Sequence, residues 1–249
     1  MSVTTNQQTQ SDGARQVVRD IRAISPGAGA RMLVTGDAAY DMDRTAWIIT
    51  RLPIALGFVV VTTFVILLLL FGSVVLPLKA VVTNLMSISV AFGAMVWIFQ
   101  DGHLASLLHF TPVAIDPTVP VAMFCVLFGL SMDYEVFLLS RIQEEYVHSG
   151  DNASAVAQGL ERSGRLVTFA AAIMVVVVGA FALGDVTVIK MVGLGTAIAI
   201  AIDATLMRAL IVPAALVIMR RANWWAPRWL SALVDRIGVR EAAGPHFIP

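Results

Sequence analysis

The segment FGLSMDYEVFLLSR, residues 128–141, places an aspartate, a tyrosine and a glutamate in succession inside an apolar run. A charged side chain within a membrane-spanning helix costs a few kcal/mol or more, and by default marks a functional position. A carboxylate shielded from water and from cations holds its proton more readily than one in water, which is the property a proton relay needs. A neighbouring tyrosine hydroxyl can hydrogen-bond either protonation state, so Asp133 with Tyr134 makes a candidate relay. At about 100° per residue, Asp133, Tyr134 and Glu135 fan around the helix and cannot all face one partner. At least one must approach the edge of the bundle or the membrane interface. The residues alone leave two readings open, a relay or carboxylates satisfied by serine and backbone groups of a neighbouring helix.

A second set of polar residues, Asp203 and Arg208, lies in another apolar stretch. Five residues apart on an α-helix they point about 140° away from each other, so a direct pair along the helix is not expected. Arg208 is expected to extend to the inner membrane surface, and Asp203 to cap or pair with another helix. Ahead of them, Gly193, Gly195, Ala197, Ala199 and Ala201 suit close helix–helix packing. Other chemistries find little support. His103, His109, His148 and His246 share no ligand-like spacing, and Cys125 is the single cysteine, expected to serve in packing. No GK[ST] phosphate loop occurs. No cofactor or metal is expected, and a formal net charge of zero argues against a nucleic-acid partner.

The elements that position these residues are membrane spans. The chain is 58% hydrophobic and only 14% charged, with a mean hydropathy of +0.81, well outside the range of soluble domains. A helix needs about 20 mostly apolar residues to cross the hydrocarbon core. Five stretches qualify, at about 52–76, 77–99, 118–140, 166–183 and 191–219. A tight turn at Gly72–Pro77 separates the first two, and Asp133 falls about two-thirds of the way along the third.

Orientation follows from the basic residues of short connections. Arg141, Arg162 and Arg165 lie between the third and fourth spans, and Arg220, Arg221 and Arg228 follow the fifth; the 100–117 connection has neither lysine nor arginine. The arginine-bearing connections and the tail, residues 221–249, are therefore expected in the cytoplasm, and residues 1–50 outside. The N-terminus is polar and has no signal-peptide core, so an external tail carrying Arg15, Arg19, Arg22, Arg31 and Arg44 fits better behind an upstream span. The chain is thus expected to be the back part of something longer. Within the tail, Val17, Val18, Ile21 and Ile24 share a helical face; Ser25-Pro26-Gly27 ends that helix, residues 31–35 read as a short strand, and Asp37 as an N-cap. So small an α/β piece cannot stand alone. The 141–165 connection reads as a short amphipathic helix or solvated connector at the inner surface.

The stretch GLSMDYEVFLLSRIQEEY (129–146) resembles the signature of the mycobacterial membrane protein large (MMPL) family, within the resistance–nodulation–division transporter superfamily. RSGRLVTF (162–169), GDVTVIKMVGLGTAIAIAIDATLMRALIVPA (184–214) and NWWAP (223–227) match in order, so the likeness covers residues 27 to 230. The resemblance implies an all-α membrane protein: the five spans of the C-terminal half of such a bundle, in residues 51–220, preceded by a remnant of an external porter domain with α/β structure in residues 1–50. It further implies that Asp133 and Tyr134 are the proton-relay element. Glu135 is then expected in helix packing or at an interface, and together with Asp203 and Arg208 it counts as a secondary intramembrane polar residue. The implied activity is outward transport of lipids or other hydrophobic molecules across the cell membrane, driven by protons and needing no other cofactor, with a separately encoded N-terminal half as partner. Two other readings remain at this stage. One is a truncated remnant or accessory membrane subunit. The other is an intramembrane aspartyl protease using Asp133 and Asp203, although the Gly-x-Gly-Asp arrangement of such enzymes is absent.

Overall fold

The structure is a computed structural model that describes residues 11–25, 27, 32–227 and 230. Its described residues are helical or irregular, with no strand among them. Two compact units emerge, one made of residues 1–56 with 116–118, the other of the remainder. Five helices are long and apolar enough to cross a membrane. In chain order, the helices are α1 (Asp12–Ala23), α2 (Asp37–Phe71), α3 (Val75–Gln100), the short α4 (Ala105–Leu108), α5 (Thr118–Ser149), α6 (Asn152–Leu183) and α7 (Thr187–Met219).

In the first unit, the Ser11 hydroxyl accepts from the Ala14 amide and starts α1, which buries Ala14 and Val18. Arg44 binds both Asp41 and Asp116, and Arg15 lies 3.8 Å from Asp41. Asp116 in turn accepts from the Thr118 amide at 2.8 Å, so one carboxylate caps α5 and pairs with Arg44. The strand expected at 31–35 does not form among the described residues 32–35. Leu33 is exposed and these residues have no ladder to join, because a strand is stabilised only by a neighbour. Arg31 and Pro26 lie outside the described residues. Asp37 occupies the first helical turn of α2, just after Gly36 at φ 127°.

The spans run longer than hydropathy alone delimits. At 35 residues, α2 is about 50 Å long, more than the roughly 30 Å hydrocarbon core. It ends at Gly72, whose φ of 59° is the left-handed stop that glycine accepts readily. The 141–165 connection is not a separate surface helix. Instead α5 continues to Ser149, and α6 begins at Asn152 after a turn through Gly150 (φ 66°), with the Asp151 carboxylate accepting from the Ser154 amide. Residues 141–149 contain no proline or glycine, and Arg141–Glu144 and Arg162–Glu145 ion pairs line the extensions. Nothing therefore stops α5 before Gly150.

Within the second unit α7 packs most extensively against α6 and α3. The small-residue stripe does what its composition suggests. A Cβ on Gly193 would sit 2.5 Å from Phe181 Cβ and 2.9 Å from the Val178 carbonyl oxygen. Gly195 is equally confined by Met123 and Met95. By contrast α2 is mostly uncovered, with Ile54 and Phe58 exposed, as suits side chains that face lipid.

Candidate functional site

The polar centre is built where α5 and α7 meet. Residues 203–211 of α7 leave the α-helical repeat and form π-helical turns, in which hydrogen bonds run between residues five apart. This widening overturns the expectation that Asp203 and Arg208 do not pair along the helix, while the expected contact of Asp203 with another helix is made, to Ser131 of α5. In a π turn, residues five apart return to the same face, and Arg208 Nη2 lies 2.8 Å from Asp203 Oδ2. Nor does Arg208 extend to the surface; its side chain is 6% exposed. The same guanidinium donates to the Ser131 carbonyl and hydroxyl oxygens, and its carbon lies 5.2 Å over the Tyr134 ring. Ser131 closes the cycle by donating to Asp203 at 3.0 Å. A sequence reading with a fixed 100° step could not have found this pair, since the change of pitch is a tertiary property.

Helical geometry then sorts the three residues of the opening segment. Taking Ser131 as zero, Tyr134 lies about 60° to one side, Glu135 about 40° to the other and Asp133 about 160° away. The structure agrees. Ser131 and Glu135 are buried, Tyr134 is half-buried against Arg208, and Asp133 is exposed. The buried carboxylate is therefore Glu135, which sequence reasoning had placed in packing or at an interface. The Asp133 side chain makes no hydrogen bond or ion pair with the described residues. It also faces away from Asp203, whose carboxylate is engaged with Arg208 and Ser131, so the two aspartates do not form a catalytic dyad here.

Asp133 lies on an exposed stripe of α5 with Ala122, Cys125, Val126 and Gly129; half-buried Val136 and Phe137 separate it from exposed Ser140. Cys125 is thus on the surface of this helix and not packed within it. A Cβ on Gly129 would meet nothing within 4 Å. The stripe is composed mainly of small residues, with Val126 among them, and runs to a charge at the middle of a spanning helix.

On the opposite side of α5 a cavity of about 20 Å³ is bordered by Asn84, Ser87, Ser131, Tyr134, Asp203 and Arg208, roughly the space one water occupies. Both amide atoms of Asn84, Arg208 Nη1 and Glu135 Oε1 are buried without a partner among the described residues. Each such group costs about 1–3 kcal/mol if left dry. Sequence reasoning missed α3 as a contributor. The available signal was Lys79, Thr83, Asn84 and Ser87, polar residues spaced one turn apart within an apolar span.

At the arginine-bearing end of the bundle, Asn223 gathers several elements. It is fully buried; its amide donates to Leu216 O and Arg220 O, and its Oδ1 accepts from Lys79 Nζ at 2.8 Å. Ser73 donates to the Asn223 carbonyl at 2.6 Å. Trp224 stacks on Tyr146 with ring centroids 4.6 Å apart and donates to Asn152. The tail beyond residue 230, like Arg228, lies outside the described residues.

The family profile described as MMPL matches residues 1–240. The chain belongs to the MMPL family. Among its MMPL relatives, a membrane protein of Streptomyces coelicolor is 44% identical over 234 residues, covering 93% of this chain and 32% of the relative. The trehalose monomycolate exporter MmpL3 of Mycobacterium tuberculosis is 37% identical over 228 residues, 92% of this chain and 24% of the relative. The heme uptake protein MmpL11 of the same organism is 38% identical over 227 residues, 90% of this chain and 24% of the relative. The chain thus spans about a quarter to a third of the length of the MMPL relatives it matches.

Proposed function

We propose that the chain is the C-terminal half of a proton-driven MMPL exporter of lipids or other hydrophobic molecules, completed by a second, N-terminal half. The observation that carries this reading is the lone Asp133 on the exposed small-residue stripe of α5. A carboxylate facing lipid at mid-membrane is costly, whereas polar residues in spans usually face a bundle interior or cavity. A stripe of small residues lets a neighbouring helix approach closely. A helix from the missing half would cover Asp133 and supply its hydrogen-bonding partner. The length of the relatives accommodates such a half, and the named relatives are a trehalose monomycolate exporter and a heme uptake protein.

In this reading residues 1–50 stand outside and the arginine-bearing end faces the cytoplasm. Asp133 takes a proton from the outer side. Tyr134 lies between it and the Arg208–Asp203–Ser131 cluster, so a change of charge on Asp133 is felt across the helix by the fixed guanidinium. The coupling ion is the proton, no cofactor takes part, and the protein is a transporter rather than an enzyme.

Cys125 provides the test, being the single cysteine and lying on the proposed interface. With the remaining half of the exporter co-produced, Cys125 should be shielded from a small membrane-permeant maleimide, and exposed when the chain is produced alone. Equal labelling in both cases would refute the interface and favour an accessory or remnant role.

A further inference from the structure

Asn84 lies near the middle of α3 and has no part in the relay described above. It is 1% exposed, and neither its amide nitrogen nor its amide oxygen has a partner among the described residues. A primary amide brings two N–H donors and a carbonyl acceptor, and a buried polar group of this kind is retained where something satisfies it. Arg208 presents the complementary case. Its Nη2 is shared between Asp203 and Ser131, while its Nη1 is buried without a partner among the described residues. Asn84 comes from α3 and Arg208 from α7, and both border the cavity beside Ser131 and Tyr134 of α5.

The size and chemistry of that cavity select its occupant. About 20 Å³ is enough for one water, which needs roughly 10–15 Å³ by the same measure, and leaves no room for an organic ligand. The Arg208 guanidinium on the wall repels a cation, and the Asp203 carboxylate repels an anion. A water carries no charge and both donates and accepts. It suits a wall that offers N–H donors at Arg208 and Asn84 together with the Asn84 carbonyl oxygen. Leu127, Ala199 and Ile200 complete the lining with apolar surface.

We infer that the cavity is a binding site for a single water, which accepts from Arg208 Nη1 and donates to the Asn84 carbonyl oxygen. The water ties α3 to the π-helical turns of α7. Arg208 is then anchored from three helices: by Asp203 on its own, by Ser131 on α5 and, through the water, by Asn84 on α3. The site lies wholly within the second unit. Its occupancy does not depend on what is transported or on which way protons move.

Radiolytic labelling tests the site. The full chain in lipid nanodiscs is equilibrated with heavy-oxygen water and exposed to a brief X-ray pulse. The pulse turns a bound water into a hydroxyl radical, which marks the side chains touching it. Mass spectrometry then compares two buried leucines of α5: Leu127, which borders the cavity, and Leu139, which does not. The wild type should carry severalfold more label on Leu127 than on Leu139. Asn84→Leu removes both amide groups and fills the space, so the label on Leu127 should fall to the level of Leu139. Asn84→Ser keeps a hydroxyl and leaves more room, so the label should stay. Equal labelling of the two leucines in the wild type would show a dry cavity and overturn the proposal. That comparison needs no variant, so it decides the matter even where Asn84→Leu fails to fold. An unchanged Leu127 label in folded Asn84→Leu would show radicals arriving from bulk water, and would equally overturn a site built on Asn84. Labelling should also be the same in chloride and in gluconate buffer; a loss in chloride would assign the cavity to an anion and overturn the water.

Discussion

The pair most directly open to energetic test is Asp203–Arg208. Its atoms are 2.8 Å apart and the side chains are 15% and 6% exposed. At an effective dielectric near 20 the attraction at that separation is about 6 kcal/mol before desolvation is subtracted. Removing one partner of such a buried pair typically costs about 3–5 kcal/mol, because the survivor keeps its charge without compensation. Arg208→Met leaves Asp203 charged with only the Ser131 hydroxyl beside it; Asp203→Leu leaves the guanidinium with only Ser131 and the Tyr134 face. Each single variant should therefore lose about 3–5 kcal/mol, while the double variant, which buries no charge, should lose far less than the sum. Reversible unfolding in mixed micelles, followed by far-UV circular dichroism or by proteolysis, measures all three. Additive losses would show that the two side chains do not interact, and that the π-helical turns do not bring them together.

Other consequences follow from individual contacts. Gly193→Val should cost at least about 1–3 kcal/mol through collision with Phe181 and the Val178 carbonyl; an unchanged midpoint in the same assay would contradict the α6–α7 approach. Gly129→Val, with open space around it, should leave the chain's own stability within about 0.5 kcal/mol but prevent co-purification with the proposed N-terminal half. Equal co-purification would count against the stripe as an interface. Burial pushes the Asp116 carboxyl up, but hydrogen bonds from Thr118 and the Arg44 guanidinium outweigh it and hold it below the usual carboxylate range. A carboxyl depressed in the folded state stabilises above its unfolded pKa and loses that contribution as pH falls through its folded value. Asp116→Asn should accordingly reduce the acid sensitivity of the 1–56 unit below about pH 4, seen by limited proteolysis; an unaltered acid profile would refute the role of Asp116.

How far the sequence reached can be judged from particular elements. The five spans and the Gly72 turn were legible because apolar length and left-handed glycine are local properties. Helix ends were not, since residues 141–149 and 152–165 are polar yet helix-compatible, and hydropathy ends a span where lipid ends rather than where the helix does. The small-residue stripe of α7 was legible from composition alone. The Asp203–Arg208 pair was hidden by the change from α to π pitch, and the burial of Glu135 in place of Asp133 was fixed by which side of α5 meets α7. The fan of three side chains was foreseeable; its rotation was not. The short strand failed for a non-local reason, the lack of a partner strand among the described residues.

The central claim is that Asp133 is the proton-carrying residue of an assembled exporter. Its most direct test compares wild type and Asp133→Asn, co-produced with the remaining half, for substrate-dependent proton uptake and lipid export in reconstituted vesicles. Asp133→Asn should insert and assemble normally with both activities abolished. Proton-coupled export at the wild-type rate by Asp133→Asn would contradict it.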